Sequence, residues 1–211
     1  EGGDDPMDGT ALPVGIREMR YTQLPTINFL YPVVTGLKDS VAEQRINYQI
    51  VQMMYRIIYE LQQPGLVTYI TGSFEIKANQ RNVLSLALSG LGDFGGAHPV
   101  AIVHSLNFDT TTGMDYPLSA QFKGDSDYVQ ILSGLVSRQI EERDILLIGD
   151  FQGISPEQEY YIANNLLVLY FQRATISPDV EGFPYFPIPL YEIEDILAAN
   201  GLLIRMTGVI Q

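Results

Sequence analysis

The 211-residue chain has no cysteine, no tryptophan and two histidines, and its 12 basic residues face 25 acidic ones. Each shortage excludes something. Without cysteine there is no disulfide framework, no thiol catalysis and no Cys-ligated zinc or iron–sulfur centre. No segment approaches the roughly 20 apolar residues that a membrane-spanning helix needs, and no basic stretch followed by an apolar one marks a secretory signal. Because the chain starts at Glu1, a leader or anchor is expected to have preceded it, and any membrane contact is expected to run through that missing N-terminal anchor. The formal charge of −13 repels phosphate backbones, so nucleic acid is not an expected partner.

That charge is unevenly placed. Residues 1–8 carry four acids and no base, residues 9–81 seven bases and five acids, and residues 82–211 five bases and sixteen acids. A cationic protein, or an exposed Lys and Arg cluster on one, suits the last segment. The acids also serve the simpler end of solubility.

What is present argues for a folded α+β protein. At 46% hydrophobic content the chain can bury a core, and its length suits one or two domains. Residues 1–13 read as a flexible leader rich in Gly, Pro and Asp. Residues 14–81 and 82–211 are expected to form two subdomains, mostly of antiparallel sheet, each with one long helix packed on it. Val14 to Leu30 alternates as one or two strands, punctuated by Tyr31-Pro32 and Gly36. Ser40 and Glu43 have capping-box spacing ahead of a helix whose stripe is Ile46, Ile50, Met53, Ile57 and Leu61, stopped by Pro64-Gly65. Strands are expected at 66–78, 83–91 and 100–108, then a turn at Asp109–Gly113 and a short strand near Met114 to Leu118. A second helix is expected from Asp125 or Ser126 to Arg143, with Tyr128, Ile131, Leu132, Leu135 and Ile140 inward. Two further strands flank Asn164-Asn165, more surround the Pro-rich stretch 183–189, and a short last helix is expected over 191–199, ended by Asn200-Gly201.

Several residue groups suggest chemistry, and each has a structural explanation beside it. Gly90-Leu91-Gly92-Asp93-Phe94-Gly95 satisfies the dinucleotide pattern G-x-G-x-x-G. Its third glycine, however, is followed by His98-Pro99 and a strand instead of the helix that would hold pyrophosphate. Strand-connecting glycines explain it better. His98 and His104 on one extended strand would lie about 20 Å apart, too far to share one zinc ion. His98 alone could bind a ligand or act as acid or base, but an imidazole hydrogen-bonded within its glycine loop is the simpler expectation. Asp125 and Asp127 suit helix capping better than paired catalysis, and Asp109 with Asp115 suits a hairpin turn as well as a calcium loop. The thirteen tyrosines combine apolar area with a polar tip, which serves both strands and binding surfaces. No catalytic residue, metal ligand or cofactor is assigned.

Beyond these features, an ordered set of short strings resembles a known family. Gly95-Gly96-Ala97-His98-Pro99, the turn Asp109–Gly113, Tyr170-Phe171, Ile176 with Pro178, Gly182-Phe183-Pro184, and Ile188-Pro189 with Tyr191-Glu192-Ile193 resemble the extracytoplasmic domain of unknown function 3298, found in RsiV-like anti-sigma factors and PdaC-like deacetylases. Tyr31-Pro32, Gly36 and Ile46-Asn47 resemble the PdaC-type domain that precedes it. Ala174-Thr175 replace the family's aromatic and acidic pair, so any role of that pair does not carry over. The deacetylase domain, a sigma-factor-binding segment and a transmembrane helix are missing from the sequence. The resemblance implies a noncatalytic extracytoplasmic module. Taken with the acidic charge of residues 82–211, it leads to the expectation of a binding or sensing module of the bacterial cell envelope, secreted or membrane-anchored, with lysozyme or a peptidoglycan fragment as the candidate ligand. Gly95, Gly96, His98, Tyr185 and Tyr191 are the ligand-binding candidates. A cell-wall carbohydrate enzyme using His98, and a structural spacer within a larger envelope protein, are the alternatives.

Overall fold

The computed structural model describes residues 13–23, 25–96 and 98–207, so residues 1–12 of the expected leader, and Ala97 within the glycine string, lie outside the described residues. Six strands form one sheet in chain order: β1 (Gly15–Gln23), β2 (Ile27–Thr35), β3 (Tyr69–Gln80), β4 (Val83–Asp93), β5 (Val100–Asp109) and β6 (Met114–Asp115). All neighbours are antiparallel except β2 and β3, which pair in parallel over Ile27–Phe29. The helix α1 (Ser40–Leu61) supplies the crossover that a parallel pair requires. Arg81 and Asn82, at φ 53° and 57°, close the β3–β4 hairpin as a two-residue turn with the twist such hairpins favour. The expected boundary at 81/82 falls inside this turn, and the sheet runs on across it.

Asp39, one residue before the expected cap Ser40, starts α1: its Oδ1 accepts from Val41 N at 2.8 Å and Ala42 N at 3.4 Å. Glu43 reaches back to accept from Leu37 N at 3.0 Å, so the reciprocal capping is present with its register moved. The buried stripe is Ala42, Ile46, Ile50, Met54, Ile57, Ile58 and Leu61; Met54, not Met53, fills the fourth turn. The helix lies against β4 at Gly90, where a Cβ would sit 2.4 Å from Ile57 Cγ2. On β3, Gly72 makes the same allowance for the Phe29 ring, 2.1 Å from where its Cβ would be. The G-x-G-x-x-G string therefore runs along β4 beneath a helix and out into an exposed loop, with Gly95 at φ 78°. It serves close packing, as the flanking residues suggest.

The alternation in β4 shows how the layers stack. Leu84, Leu86 and Leu88 point to α1, while Val83, Ser85 and Ala87 point to the opposite face. That opposite face receives a second, three-stranded antiparallel sheet of β7 (Tyr160–Ala163), β8 (Leu166–Tyr170) and β9 (Tyr185–Pro189). Small residues are needed there because β7 lies directly on the large sheet. Its free edge is satisfied by side chains from that sheet: Ile162 N donates to Ser85 Oγ at 2.9 Å, while Asn107 Nδ2 at 2.9 Å and Ser105 Oγ at 2.6 Å donate to Tyr160 O. An edge strand is thus covered without a further strand. α2 (Tyr128–Glu142) completes this second core with Leu132, Val136 and Ile140. It starts three residues after Asp125, capped by Asp127, and Val136 takes the inner position expected of Ile131, which is 39% exposed. Mixed α and β structure in two packed sheets matches the expected class.

Three carboxamides act as substitute strand partners, each binding both the N–H and the C=O of one edge residue. Asn79 does so for Val14, Asn47 for Val34 and Gln172 for Val103. This explains why Tyr31-Pro32 does not punctuate the chain as expected but lies inside β2. Past Phe29, β3 no longer flanks β2, and Val34 turns its polar groups away from β1 to Asn47. Pro32, two residues earlier on the same side, has no N–H to leave unpaired there.

The helix expected over 191–199 is replaced by single 3-10 turns at Leu190–Glu192 and Glu194–Ile196. Leu190, Ile193 and Leu197 are buried at helical spacing, but the backbone is drawn elsewhere: Lys123 N donates to Ile196 O and Ala198 N to Gln121 O, both at 2.9 Å. Those bonds use groups a continuing helix would need. A one-turn helix, α3 (Leu203–Met206), follows instead, with Leu202 N and Leu203 N donating to the buried Gln121 Oε1 at 2.8 and 3.0 Å.

Candidate functional site

His104 lies on β5 opposite Leu88 of β4, so its ring shares the face that α1 covers. It is buried, with each ring nitrogen against a different carboxylate. Nε2 is 2.8 Å from Glu60 Oε2, at the C-terminal end of α1. Nδ1 bonds Glu159 Oε1, immediately before β7. The second oxygens are also engaged: Glu60 Oε1 accepts from Arg56 Nε at 2.6 Å, and Glu159 Oε2 accepts from Gln172 Nε2 at 2.8 Å. Gln172 is the same carboxamide that covers Val103. The result is a hydrogen-bonded row from Arg56 through Glu60, His104 and Glu159 to Gln172, joining α1, the large sheet and the small sheet.

A neutral imidazole has one N–H and one lone pair, so it can satisfy only one of two ionised carboxylates. This geometry selects the doubly protonated ring. Burial, the largest single influence on His104, opposes the charged form, and Arg56 adds to that opposition; the bonds and charges of Glu159 and the Glu60 bond outweigh both and raise its pKa above the ordinary 6.5. For Glu60, burial favours the neutral acid, but the bonds and charges of His104 and Arg56 prevail and hold its carboxyl below the usual range.

Glu60 also lines an open cleft of about 660 Å³ between the end of α1, the chain that follows it and the start of β2. Tyr59, Leu66 and Val67 line it and are 78%, 57% and 65% exposed, an apolar surface left to solvent in the same cleft. Tyr55 on α1 and Tyr69 on β3 are exposed as well. Thr68 is buried, its Oγ1 accepting from Gln63 N at 3.3 Å, which shapes the chain after α1.

The residues singled out from sequence lie elsewhere and do not converge. Gly95, Gly96 and His98 occupy the exposed loop between β4 and β5, where Gly95 N donates to Asp93 Oδ1 at 2.9 Å. His98 is exposed and makes no hydrogen bond or ion pair among the described residues, so the expected loop-bonded imidazole is not found. Tyr185, on β9, joins an aromatic cluster with Tyr170 at 6.0 Å, Tyr161 at 6.2 Å and Phe183 at 6.4 Å. Tyr191 sits 74% exposed on a 3-10 turn. Asp109 accepts from Thr111 and pairs with Arg205 at 2.9 Å, and Asp115 accepts from Asn107 N at 2.7 Å, so both build the hairpin. Among the described residues, no group of three or more His, Asp or Glu side chains is arranged to hold a metal ion. Sequence reasoning passed over His104 after setting it against His98. Its signal was a histidine between Ile102 and Leu106 on the apolar face of a strand.

The region carrying Glu159 and Gln172 has a recognisable sequence. Residues 122–191 match the family described as a protein of unknown function, DUF3298. Two solved structures share the fold of nearly the whole chain. A DUF3298 family member from Bacteroides fragilis is 15% identical at a TM-score of 0.68, covering 95% of this chain and 99% of its own. A DUF3298 family protein from Pseudomonas aeruginosa is 12% identical at a TM-score of 0.63, covering 91% and 97%. At these identities the likeness is one of fold. No curated protein matches the chain. The segment that matches DUF3298 runs from Phe122 through α2 and all three strands of the small sheet to Tyr191. It contributes Glu159 and Gln172 to the row of bonds, whereas Arg56, Glu60 and His104 come from outside it.

Proposed function

We propose that this chain is a noncatalytic binding or sensing module of a bacterial cell envelope, and that the cleft at the end of α1 docks a cationic protein of the lysozyme kind. One observation carries the reading: Tyr59, Leu66 and Val67 stay exposed in a cleft that Glu60 also lines, on a protein of formal charge −13. Exposed apolar surface rimmed by charge is the usual composition of a protein-binding patch, and net negative charge accelerates encounter with a cationic partner. Glu60 has its pKa held low and so stays ionised, which suits recognition of positive charge better than proton transfer.

The envelope location follows from the resemblance of residues 14–81 to a PdaC-type domain and of residues 82–211 to the RsiV-like domain. Calorimetry against lysozyme and against muropeptides, at low and moderate salt, tests the reading. Binding of lysozyme that weakens with salt, and at least fivefold further in Tyr59→Ala or Leu66→Ser, is the expected result. Binding of muropeptides alone would replace the protein ligand with a glycan, and heat from neither would overturn the reading.

A further inference from the structure

We propose that His104 is a proton-operated latch on this cleft, drawing Glu60 back toward Glu159 while the ring carries two protons and releasing Glu60 into the cleft when it carries one. The inference rests on the cleft being the binding surface. It starts from counting donors: two carboxylates face one imidazole, at Nε2 and at Nδ1. When one proton leaves, one nitrogen presents a lone pair to a carboxylate oxygen, and that contact turns from attraction to repulsion.

The structure also selects the side that gives way. Glu159 is held from behind by Gln172, which is anchored on the Val103 backbone, so Nδ1 keeps its proton and its partner. Among the described residues Glu60 is held otherwise by Arg56, an exposed residue one helical turn away. Its side chain is 34% exposed, and the residue lines the cleft. The charged and titratable groups disposed around the ring are Arg56 and Glu60 from α1 and Glu159 ahead of β7, with Tyr170 beyond Glu159. Burial, together with the Glu159 charge, keeps the Tyr170 phenol neutral through the range in which His104 titrates. Release of Glu60 places a carboxylate among Tyr59, Leu66 and Val67, where it meets a cationic ligand directly. The latch therefore opens the site as pH rises through the His104 pKa, and closes it in acid.

The test uses the ligand-free chain first. Nitrogen-15 spectra of the two imidazoles, assigned with His98→Ala, are expected to show His104 protonated at both nitrogens in acid. Above pH 6.5 Nε2 should deprotonate and Nδ1 should not. The Glu60 carboxyl carbon and the Gln63 amide should shift along the same titration curve, and both should lose that inflection in His104→Gln. If His104 titrates while Glu60 and Gln63 stay still, or if Nδ1 loses the proton, the latch is wrong. Should His104→Gln fail to fold, Glu159→Gln serves as the second variant and should bring the His104 inflection to lower pH. Lysozyme affinity is then compared at pH 6 and pH 8.5, with an expected rise of about fivefold in the wild type, the scale of one exposed ion pair. A flat response in the wild type, or the same rise in His104→Gln, also overturns the latch. A correct titration with no lysozyme binding at either pH would instead remove the binding reading and the latch's role at the cleft, while the proton-linked movement of Glu60 would stand.

Discussion

Raising the pH from 6 to 9 should destabilise the chain through one residue, His104. The ring is buried between Glu60 and Glu159 and its pKa is raised above 6.5. A group with a raised folded pKa contributes stability that is fully present below the unfolded value of about 6.5 and is lost as pH climbs through the folded value. The loss corresponds to one charge-assisted hydrogen bond, about 1.5–3 kcal/mol when shielded. Glu60 and Glu159 are 34% and 32% exposed, which screens the interaction and brings the expectation to about 1–2 kcal/mol. For a chain of this length each kcal/mol moves Tm by roughly 2–4 °C. Urea denaturation followed by far-ultraviolet circular dichroism at half-unit steps of pH measures the effect. Measurements should stop near pH 9, because Tyr160 and Tyr170 have pKa values pushed up by burial and destabilise the fold as pH rises past the ordinary tyrosine value of about 10. His104→Gln should have a flat profile over the same interval. Parallel wild-type and variant profiles would refute the reasoning, because the ring would then carry no linkage between folding and protons.

Three substitutions test how the sheet is built. Gly90→Ala places a Cβ against Ile57 and Leu61 and should cost about 1–3 kcal/mol by overpacking, read as a lower urea midpoint at unchanged slope. Asn47→Leu removes both bonds to Val34 and leaves its N–H and C=O without a strand partner; a loss of about 1–3 kcal/mol is expected, with faster hydrogen exchange at the Val34 amide. Asp39→Ala removes the cap of α1 and should cost about 1 kcal/mol, whereas Ser40→Ala should be close to neutral; equal effects would show that the cap has been misplaced.

Much of the architecture was legible because it is local. The stripe of α1, the turn at Arg81-Asn82, the alternation of β4 and the succession of β1 to β5 are written at periods of 3.6 and 2, and the corresponding elements form close to where those periods place them. Apart from the cap of α1, which passes to the adjacent residue, the errors occur where a distant group competes with a local preference. Ser40 gives up the cap to Asp39, which reaches two amides of the first turn. Leu190, Ile193 and Leu197 have helical spacing, but Gln121 and Lys123 take the backbone groups that would have closed the helix. Pro32 continues a strand because β3 has left that edge of β2 and Asn47 has taken its place one pair later.

By itself the sequence determined the α+β class, the long first helix, most strand positions and the acidic character, since composition and short-range periodicity need no knowledge of distant neighbours. Tertiary structure alone decided the candidate site. Glu60 and Glu159 stand 44 and 55 residues from His104 in opposite directions along the chain. Only the packing of α1 on one face of the large sheet and of the small sheet on the other brings both carboxylates to one imidazole. The protonation of that ring then follows from contacts between distant residues, which no local pattern in the chain encodes.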